Sequence, residues 1–236
     1  MKLSIIIPVF NEGKTVSEIL KRVIDEPIPS VKKEIIVVDD GSTDKTREKL
    51  KKFKSSGIDI ILHEKNQGKG AAVKTGIKKA TGDYIIIQDA DLEYDPKFIK
   101  DLLKPILENR ADVVYGTRIK RMPNFKGEER TLQFLIHYLG NRFLSLVTSV
   151  LYGQWVTDME TCYKLFPKKA LDNVKLNARG FELEPEITSK LLKKKYKLLE
   201  VPIKVNPRGY DEGKKLNTIR DGTKAFWYLF KYRFTD

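Results

Sequence analysis

Residues 34–44 read Glu34-Ile35-Ile36-Val37-Val38-Asp39-Asp40-Gly41-Ser42-Thr43-Asp44. Ile35 to Val38 form an unbroken β-branched run, which suits a strand covered on both faces rather than one face. The run stops in an acidic turn with a glycine, and an amphipathic stretch, Asp44–Lys54, follows. The same pattern recurs on both sides of it. Strands are expected at Leu3–Pro8, Glu34–Asp39, Ile58–Leu62, Tyr84–Gln88 and Asp112–Tyr115. Helices are expected near Lys14–Asp25, Asp44–Lys54, Lys69–Ala80 and Pro96–Asn109, the last with proline in its first turn. Such alternation predicts an α/β fold with a mostly parallel, doubly wound sheet flanked by helices. Ligands of these sheets collect beyond the carboxyl ends of the strands.

The second half changes character. Ile119–Arg130 is basic and contains proline and glycine, and a long helix is expected near Thr131–Tyr152. Asp158–Phe166 reads as a turn entering a strand, followed by a helix near Glu184–Lys195 and a strand near Leu198–Val205. The last helix is expected near Asn217–Tyr232, and Asn206–Lys215 between them as a mobile loop. In the long helix Leu132, Leu135, Ile136, Leu139, Phe143, Leu146, Val147 and Val150 recur at helical spacing. Such a stripe usually packs into a protein's own core, but here a membrane-interface face is the favoured expectation, with Phe226-Trp227-Tyr228 as its companion.

Composition narrows the classes. With 41% hydrophobic residues the chain buries a core, and 45 Lys+Arg against 32 Asp+Glu leave a net charge of +13. A basic surplus points to an anionic partner: nucleic acid, a phosphate ligand or a membrane surface. One cysteine, Cys162, excludes an intramolecular disulfide framework and a Cys-rich zinc site and agrees with a reducing cytoplasm. The opening MKLSIIIPVF is too short for a signal peptide, and no run of 18 apolar residues predicts a spanning helix. His63 and His137 read as surface or capping residues.

For a basic protein the strand ends are unusually acidic: Asn11-Glu12, Asp39-Asp40-Gly41-Ser42-Thr43-Asp44, and Asp89-Ala90-Asp91-Leu92-Glu93. If Asp89 and Asp91 continue a strand, their side chains share a face about 7 Å apart. Two or three hard oxygen ligands suit Mg2+ or Mn2+ completed by substrate phosphates, and so predict a nucleoside diphosphate held through a metal. Gly68-Lys69-Gly70 opens a helix, where close packing is the expected role of the glycines. No dinucleotide or P-loop fingerprint is present.

Four motifs in order, Ile5-Ile6-Ile7-Pro8-Val9-Phe10-Asn11-Glu12, Val37–Asp44, Asn66-Gln67-Gly68-Lys69-Gly70-Ala71-Ala72 and Asp89-Ala90-Asp91, resemble glycosyltransferase family two. The resemblance implies a GT-A fold and inverting transfer of a sugar from a nucleotide donor. It implies that Pro8, Phe10, Glu12, Val38 and Asp40 line the base and ribose pocket, supported by Asp39. Asp89, Ala90 and Asp91 would hold the diphosphate and metal, Asp91 as direct ligand, and Glu93 would complete the shell. Gly116-Thr117-Arg118, Asp158…Phe166, Gly180-Phe181-Glu182, Glu200-Val201-Pro202-Ile203 and Arg208…Lys214 look like the dolichol-phosphate mannose synthases and polyprenyl-phosphate glucosyltransferases. A single domain, 1–236, is then expected, with 1–117 binding the nucleotide-sugar (GDP-mannose or UDP-glucose type) and 118–236 the acceptor.

A lipid phosphate is already an anion and needs no general base, only cations to bind it. Arg118, Arg208 and Lys214 are the expected acceptor-phosphate ligands. Asp91, Arg118 and Asp158 are the expected catalytic residues, Asp158 and Glu160 orienting the acceptor side. The expected partners are a nucleotide-sugar, polyprenyl or dolichyl phosphate, and a membrane surface or membrane protein at the cytoplasmic face. The same-class alternative, transfer to a sugar hydroxyl, requires a basic carboxylate, for which Asp158, Glu182 and Glu184 are candidates. A nucleic-acid-binding module rests on net charge alone, and the acidic strand ends oppose it.

Overall fold

A computed structural model describes residues 1–118, 131–206 and 218–235. Seven strands form one sheet: β1 Lys2–Val9, β2 Lys32–Asp39, β3 Asp59–Leu62, β4 Tyr84–Ile87, β5 Val113–Thr117, β6 Lys164–Pro167 and β7 Leu198–Pro202. Their order across the sheet is β3-β2-β1-β4-β6-β5-β7. β1 pairs in parallel with β2 and β4, β2 with β3, and β5 with β7, whereas β6 runs antiparallel between β4 and β5. The helices are α1 Val16–Asp25, α2 Thr46–Lys51, α3 Lys69–Lys79, α4 Ile99–Leu107, α5 Leu132–Tyr152, α6 Leu183–Lys193 and α7 Thr218–Phe234.

The continuous apolar runs do what their pattern implies. Ile5, Ile7, Val37 and Ile86 face one layer with α1 and α4, while Ile6, Ile36, Val38, Ile85 and Ile87 face the other with α3 and α6. A third, smaller cluster forms where α5, α6 and α7 meet, around Leu144, Val156, Met159, Leu192 and Leu229.

Several boundaries differ from the sequence expectation, and three of them bear on the strand-end turns. β4 ends at Ile87, so Asp89–Glu93 is a turn and not a strand end, with Leu92 at φ +67°. The two-residue alternation that would align Asp89 with Asp91 therefore does not operate. β7 stops at Pro202, and Val205 instead bridges Tyr94 in antiparallel fashion. α4 begins as a 3-10 turn at Pro96–Phe98, capped by Asp95, which accepts from the Lys97 N–H.

The antiparallel β6 matters most for the site. A strand running against its neighbours enters the sheet at their carboxyl edge. The Asp158–Tyr163 turn is thereby delivered to the same edge as the ends of β1, β2, β4 and β5.

Of the two orientations expected for α5, the apolar stripe takes the outward one. Leu132, Ile136, Leu139, Phe143, Leu146 and Val150 are 46–75% exposed, whereas Asn141, Ser145, Thr148 and Ser149 are buried. The polar row faces inward because it has partners there. Asn141 donates to Asp158, the Ser145 hydroxyl accepts from the Met159 N–H, and the Ser149 hydroxyl accepts from the Val156 N–H. The apolar stripe is not core. Phe143 stacks on Phe226 of α7 with ring centroids 5.9 Å apart, and Trp155 and Trp227 extend the exposed apolar surface. Phe134–Tyr152 is also long and apolar enough in composition to cross a bilayer, although it is interrupted by Arg142 and other polar residues.

Candidate active site

The ends of β1 and β2 are tied into one unit. The Asn11 N–H donates to the Ser42 hydroxyl at 2.9 Å, and Asn11 Oδ1 accepts from the Thr43 N–H at 2.9 Å. Asn11 holds φ +52°, in the left-handed region that asparagine adopts more readily than most side-chain-bearing residues. Asp39 is wholly buried, accepting from the Ser42 N–H and from Arg47 Nε at 3.1 Å. Asp40 is buried too, and accepts from the N–H groups of Gln67 and Gly68 at 3.1 and 2.7 Å and pairs with His63 Nδ1 at 2.7 Å. Both carboxylates thus brace the pocket from within the protein. His63 is no surface residue: its ring bridges Asp40 and the Thr75 hydroxyl. Val38 is also core, paired within the sheet between Pro8 and Ile61, while Pro8, Phe10 and Glu12 keep partial exposure.

The glycine-rich turn is held by close backbone approach. A Cβ on Gly68 would lie 2.2 Å from the Arg179 carbonyl oxygen, and one on Gly70 2.8 Å from that of Ala178. The Gly70 N–H donates to the Arg179 carbonyl at 2.8 Å, so packing is the role of these glycines. Their contact seats Gly180-Phe181-Glu182 beside α3, with the Phe181 ring 6.0 Å from Lys69 Nζ.

Lys69 starts α3 and reaches the β4 turn. Its Nζ lies 2.7 Å from Asp89, 3.2 Å from Cys162 Sγ and 3.7 Å from Glu184. Burial works against charge at both Lys69 and Asp89, but their mutual attraction outweighs it, holding the lysine high and the carboxyl low. Burial, and then Asp89, push the Cys162 thiol well up, so it stays protonated. Gln88 clamps the base of the turn, donating to the carbonyls of Asp89 and Tyr94 and accepting from the Tyr163 hydroxyl. Ala90 is buried, whereas Asp91 and Glu93 are partly exposed, Asp91 accepting from the Glu93 N–H at 3.1 Å.

Arg118 ends β5 and pairs with Asp158. Asp158 accepts from the Arg118 main-chain N–H and Nε at 2.8 Å each, from Nη2 at 2.7 Å, and from Asn141 at 3.2 Å. Burial raises the Asp158 carboxyl, but the guanidinium more than offsets this and holds it below the usual range. Arg118 is thus an oriented cation rather than a solvent-facing one. Asp158 is its anchor. Glu200 accepts from the N–H groups of Thr157 and Asp158, fixing the turn from the β7 side. Lys164, fully buried, pairs with Glu184 at 2.5 Å. Glu182 is turned onto the N–H groups of Arg179 and Gly180.

The chain enters its second basic segment beside the metal-turn candidates, because the Asn206 N–H donates to the Glu93 carbonyl at 3.0 Å. Arg208 and Lys214, with the rest of the expected mobile loop beyond Asn206 and the basic stretch 119–130, lie outside the described residues.

The family model described as glycosyl transferase family 2 matches residues 4–175. The chain belongs to glycosyl transferase family 2. Its relatives include an uncharacterized protein of Methanocaldococcus jannaschii, 33% identical over 98% of this chain and 90% of that one. The dolichol-phosphate mannosyltransferase of Pyrococcus furiosus is 31% identical over 98% of this chain and 64% of its own length. The UDP-N-acetylglucosamine–dolichyl-phosphate N-acetylglucosaminyltransferase of Methanococcus voltae is 31% identical over 95% and 93%. Glucosyl-3-phosphoglycerate synthase from Mycobacterium tuberculosis, solved with Mn2+, UDP and phosphoglyceric acid, superposes with TM-score 0.72. At 19% identity over 100% of this chain and 79% of that one, it supports the GT-A fold expected from sequence.

In this family 2 transferase the four ordered motifs converge on one sheet edge. Sequence reading missed Lys69, His63, Asn141 and Glu200 as working parts of that edge. Glu200 lay within a quoted motif, and Lys69 stood between two singled-out glycines. His63 and Asn141 carried no local signal.

Proposed function

We propose that this transferase moves a hexose from a nucleotide-sugar to a polyprenyl or dolichyl phosphate. The observation that carries the lipid acceptor is the inverted polarity of α5. The helix whose inner polar row holds Asp158, and through it Arg118, turns a long apolar row outward. An acceptor with a phosphate head and an isoprenoid tail matches both faces at once. The relatives named as dolichyl-phosphate transferases, one with a mannosyl and one with an N-acetylglucosaminyl donor, agree with it.

Residues 1–117 hold the donor in this reading, with Pro8, Phe10 and Glu12 along the nucleotide pocket. Asp39, Asp40, Val38 and Ala90 shape it from behind. Asp91 and Glu93 offer partly exposed hard oxygens on one turn. Among the described residues no group of three or more His, Cys, Asp or Glu side chains is assembled to hold a metal. That fits Mg2+ or Mn2+ carried largely by the donor diphosphate and water, with Asp91 as the main protein ligand. When bound, such an ion neutralises charge on the departing diphosphate. Asp89, locked to Lys69, contributes a fixed neutral pair beside it.

On the acceptor side, residues 118–236, the guanidinium edge that Asp158 leaves uncovered on Arg118 receives the lipid phosphate, aided by Arg208 and Lys214. A phosphate oxygen attacks the anomeric carbon as the bond to the diphosphate oxygen breaks, and the nucleoside diphosphate leaves with inversion. No proton need be removed. Asp158, ion-paired and held acidic, is itself poorly matched to deprotonating a sugar hydroxyl.

The exposed apolar row of α5, with Trp155 and Trp227, supports contact of the enzyme with a membrane surface. The single cysteine agrees with a reducing cytoplasmic face. The test is incubation with Mg2+ or Mn2+, a short polyprenyl phosphate and a panel of nucleotide-sugars. A polyprenyl-linked sugar is expected with one donor, and is lost in Asp91→Ala. Transfer to a sugar hydroxyl instead would overturn the reading.

A further inference from the structure

The sequence reading set Glu160 with Asp158 in orienting the acceptor side, but the hydrogen bonds that orient Arg118 come from Asp158. Glu160 lies midway along the Asp158–Cys162 turn, between the two ion pairs of the site. Two residues before it, Asp158 grips Arg118; two residues after it, the Cys162 sulfur meets Lys69 and, through it, Asp89. The charged groups acting on its carboxyl are Lys164, Glu184, Arg118 and Asp158. Each of those cations is already matched, Lys164 by Glu184 at 2.5 Å and Arg118 by Asp158 at 2.7 Å. Glu160 is the odd acid among paired ones. Its Oε1 is enclosed and has no hydrogen-bond partner, while the residue as a whole retains some exposure. A buried acceptor without a donor is costly and calls for a ligand group to complete it.

We propose that Glu160 accepts hydrogen bonds from hydroxyl groups of the hexose being transferred, and so selects the sugar of the donor rather than its nucleotide. The inference rests on the function proposed above. In that reaction, what lies between the donor diphosphate near Asp89 and the acceptor phosphate near Arg118 is the sugar. The chemistry agrees with the place. An ionised carboxylate is acceptor-only, with two oxygens suited to neighbouring hydroxyls. A phosphate would meet an unmatched negative charge there. Burial pushes the Glu160 carboxyl up to about 7, with Lys164 and Arg118 lowering it and Glu184 and Asp158 raising it. Hydroxyl donors would stabilise the ionised form and draw that value down again.

The test is calorimetric titration of the full chain, with Mn2+ and no acceptor, using GDP, UDP, GDP-mannose, UDP-glucose and UDP-N-acetylglucosamine. Glu160→Gln keeps the side-chain volume and removes the charge, and its fold is checked by circular dichroism and Tm. The variant is expected to bind the cognate nucleotide-sugar about tenfold or more weakly, with unchanged affinity for the nucleoside diphosphate. In the wild type the affinity advantage of the nucleotide-sugar over the nucleoside diphosphate should rise between about pH 6 and 8. In the variant it should stay flat. The wild-type profile stands as a test even if the variant folds poorly.

Equal losses for both ligands would mark a structural residue and overturn the proposal. Unchanged sugar affinity with a collapsed kcat would make Glu160 a general base, and overturn it equally. A wild type that binds a nucleotide-sugar as expected but fails to glycosylate polyprenyl phosphate would sink the acceptor reading and leave Glu160's role standing. No nucleotide-sugar binding at all would sink both.

Discussion

Asp158→Ala should destabilise the enzyme by about 3 kcal/mol, because it strands a partly buried guanidinium. Asp158 is wholly buried and accepts four hydrogen bonds at 2.7–3.2 Å, three of them from Arg118. Removing one partner of a buried pair costs about 3–5 kcal/mol, and the lower end applies here. The reason is that the Arg118 side chain keeps 22% exposure, so water recovers part of the loss. In a chain of this size about 3 kcal/mol corresponds to a fall in Tm of roughly 6–12 °C.

The pH dependence has a definite sign. The folded carboxyl lies below its unfolded value, so its contribution is complete above the ordinary carboxylate range. It is lost only as pH falls through the lower, folded value. A deficit of Asp158→Ala should therefore persist at both pH 6 and pH 8. Urea unfolding of the wild type, Asp158→Ala, Arg118→Met and the double variant closes a thermodynamic cycle. A coupling of about 2 kcal/mol is expected. A Tm change under about 2 °C, or strict additivity, would refute the claim that these two residues form one unit.

Gly68→Ala should lose more than about 2 kcal/mol, since it combines φ +97° with a Cβ at 2.2 Å from a carbonyl oxygen. Gly140→Ala, within α5 with nothing inside 4 Å of its new Cβ, should instead gain about 0.5–1 kcal/mol; thermal melts that rank the two the other way would sink both readings. Phe143→Glu combined with Leu146→Glu should abolish co-sedimentation with anionic phospholipid vesicles while leaving Tm within about 2 °C, because both side chains are more than half exposed. Pelleting equal to the wild type would place the membrane contact elsewhere.

Much of the fold was legible because strand content here is a local property. Ile35–Val38 and Tyr84–Ile87 are continuous β-branched or aromatic runs, and such runs sit only where a sheet is covered on both faces. The acidic residues that follow them fell at the carboxyl edge for the same reason. The site was less legible. Asp40 looked like a pocket carboxylate, and only the approach of Gln67, Gly68 and His63 turns it into a brace. Arg118 looked like an open cation until Asp158, forty residues away, claimed it. The antiparallel direction of β6 has no signal in Lys164–Pro167, because a short apolar strand reads the same both ways.

Helix α5 separates the two sources most clearly. Its sequence determined that it has a polar and an apolar face, since helical periodicity alone divides Asn141, Ser145 and Ser149 from Leu139, Phe143 and Leu146. Which face turns inward was decided by tertiary structure. Asp158, the Met159 N–H and the Val156 N–H present buried polar groups that need partners, and the polar row supplies them. Satisfying those groups outweighed burying the apolar stripe, which stays exposed among the described residues.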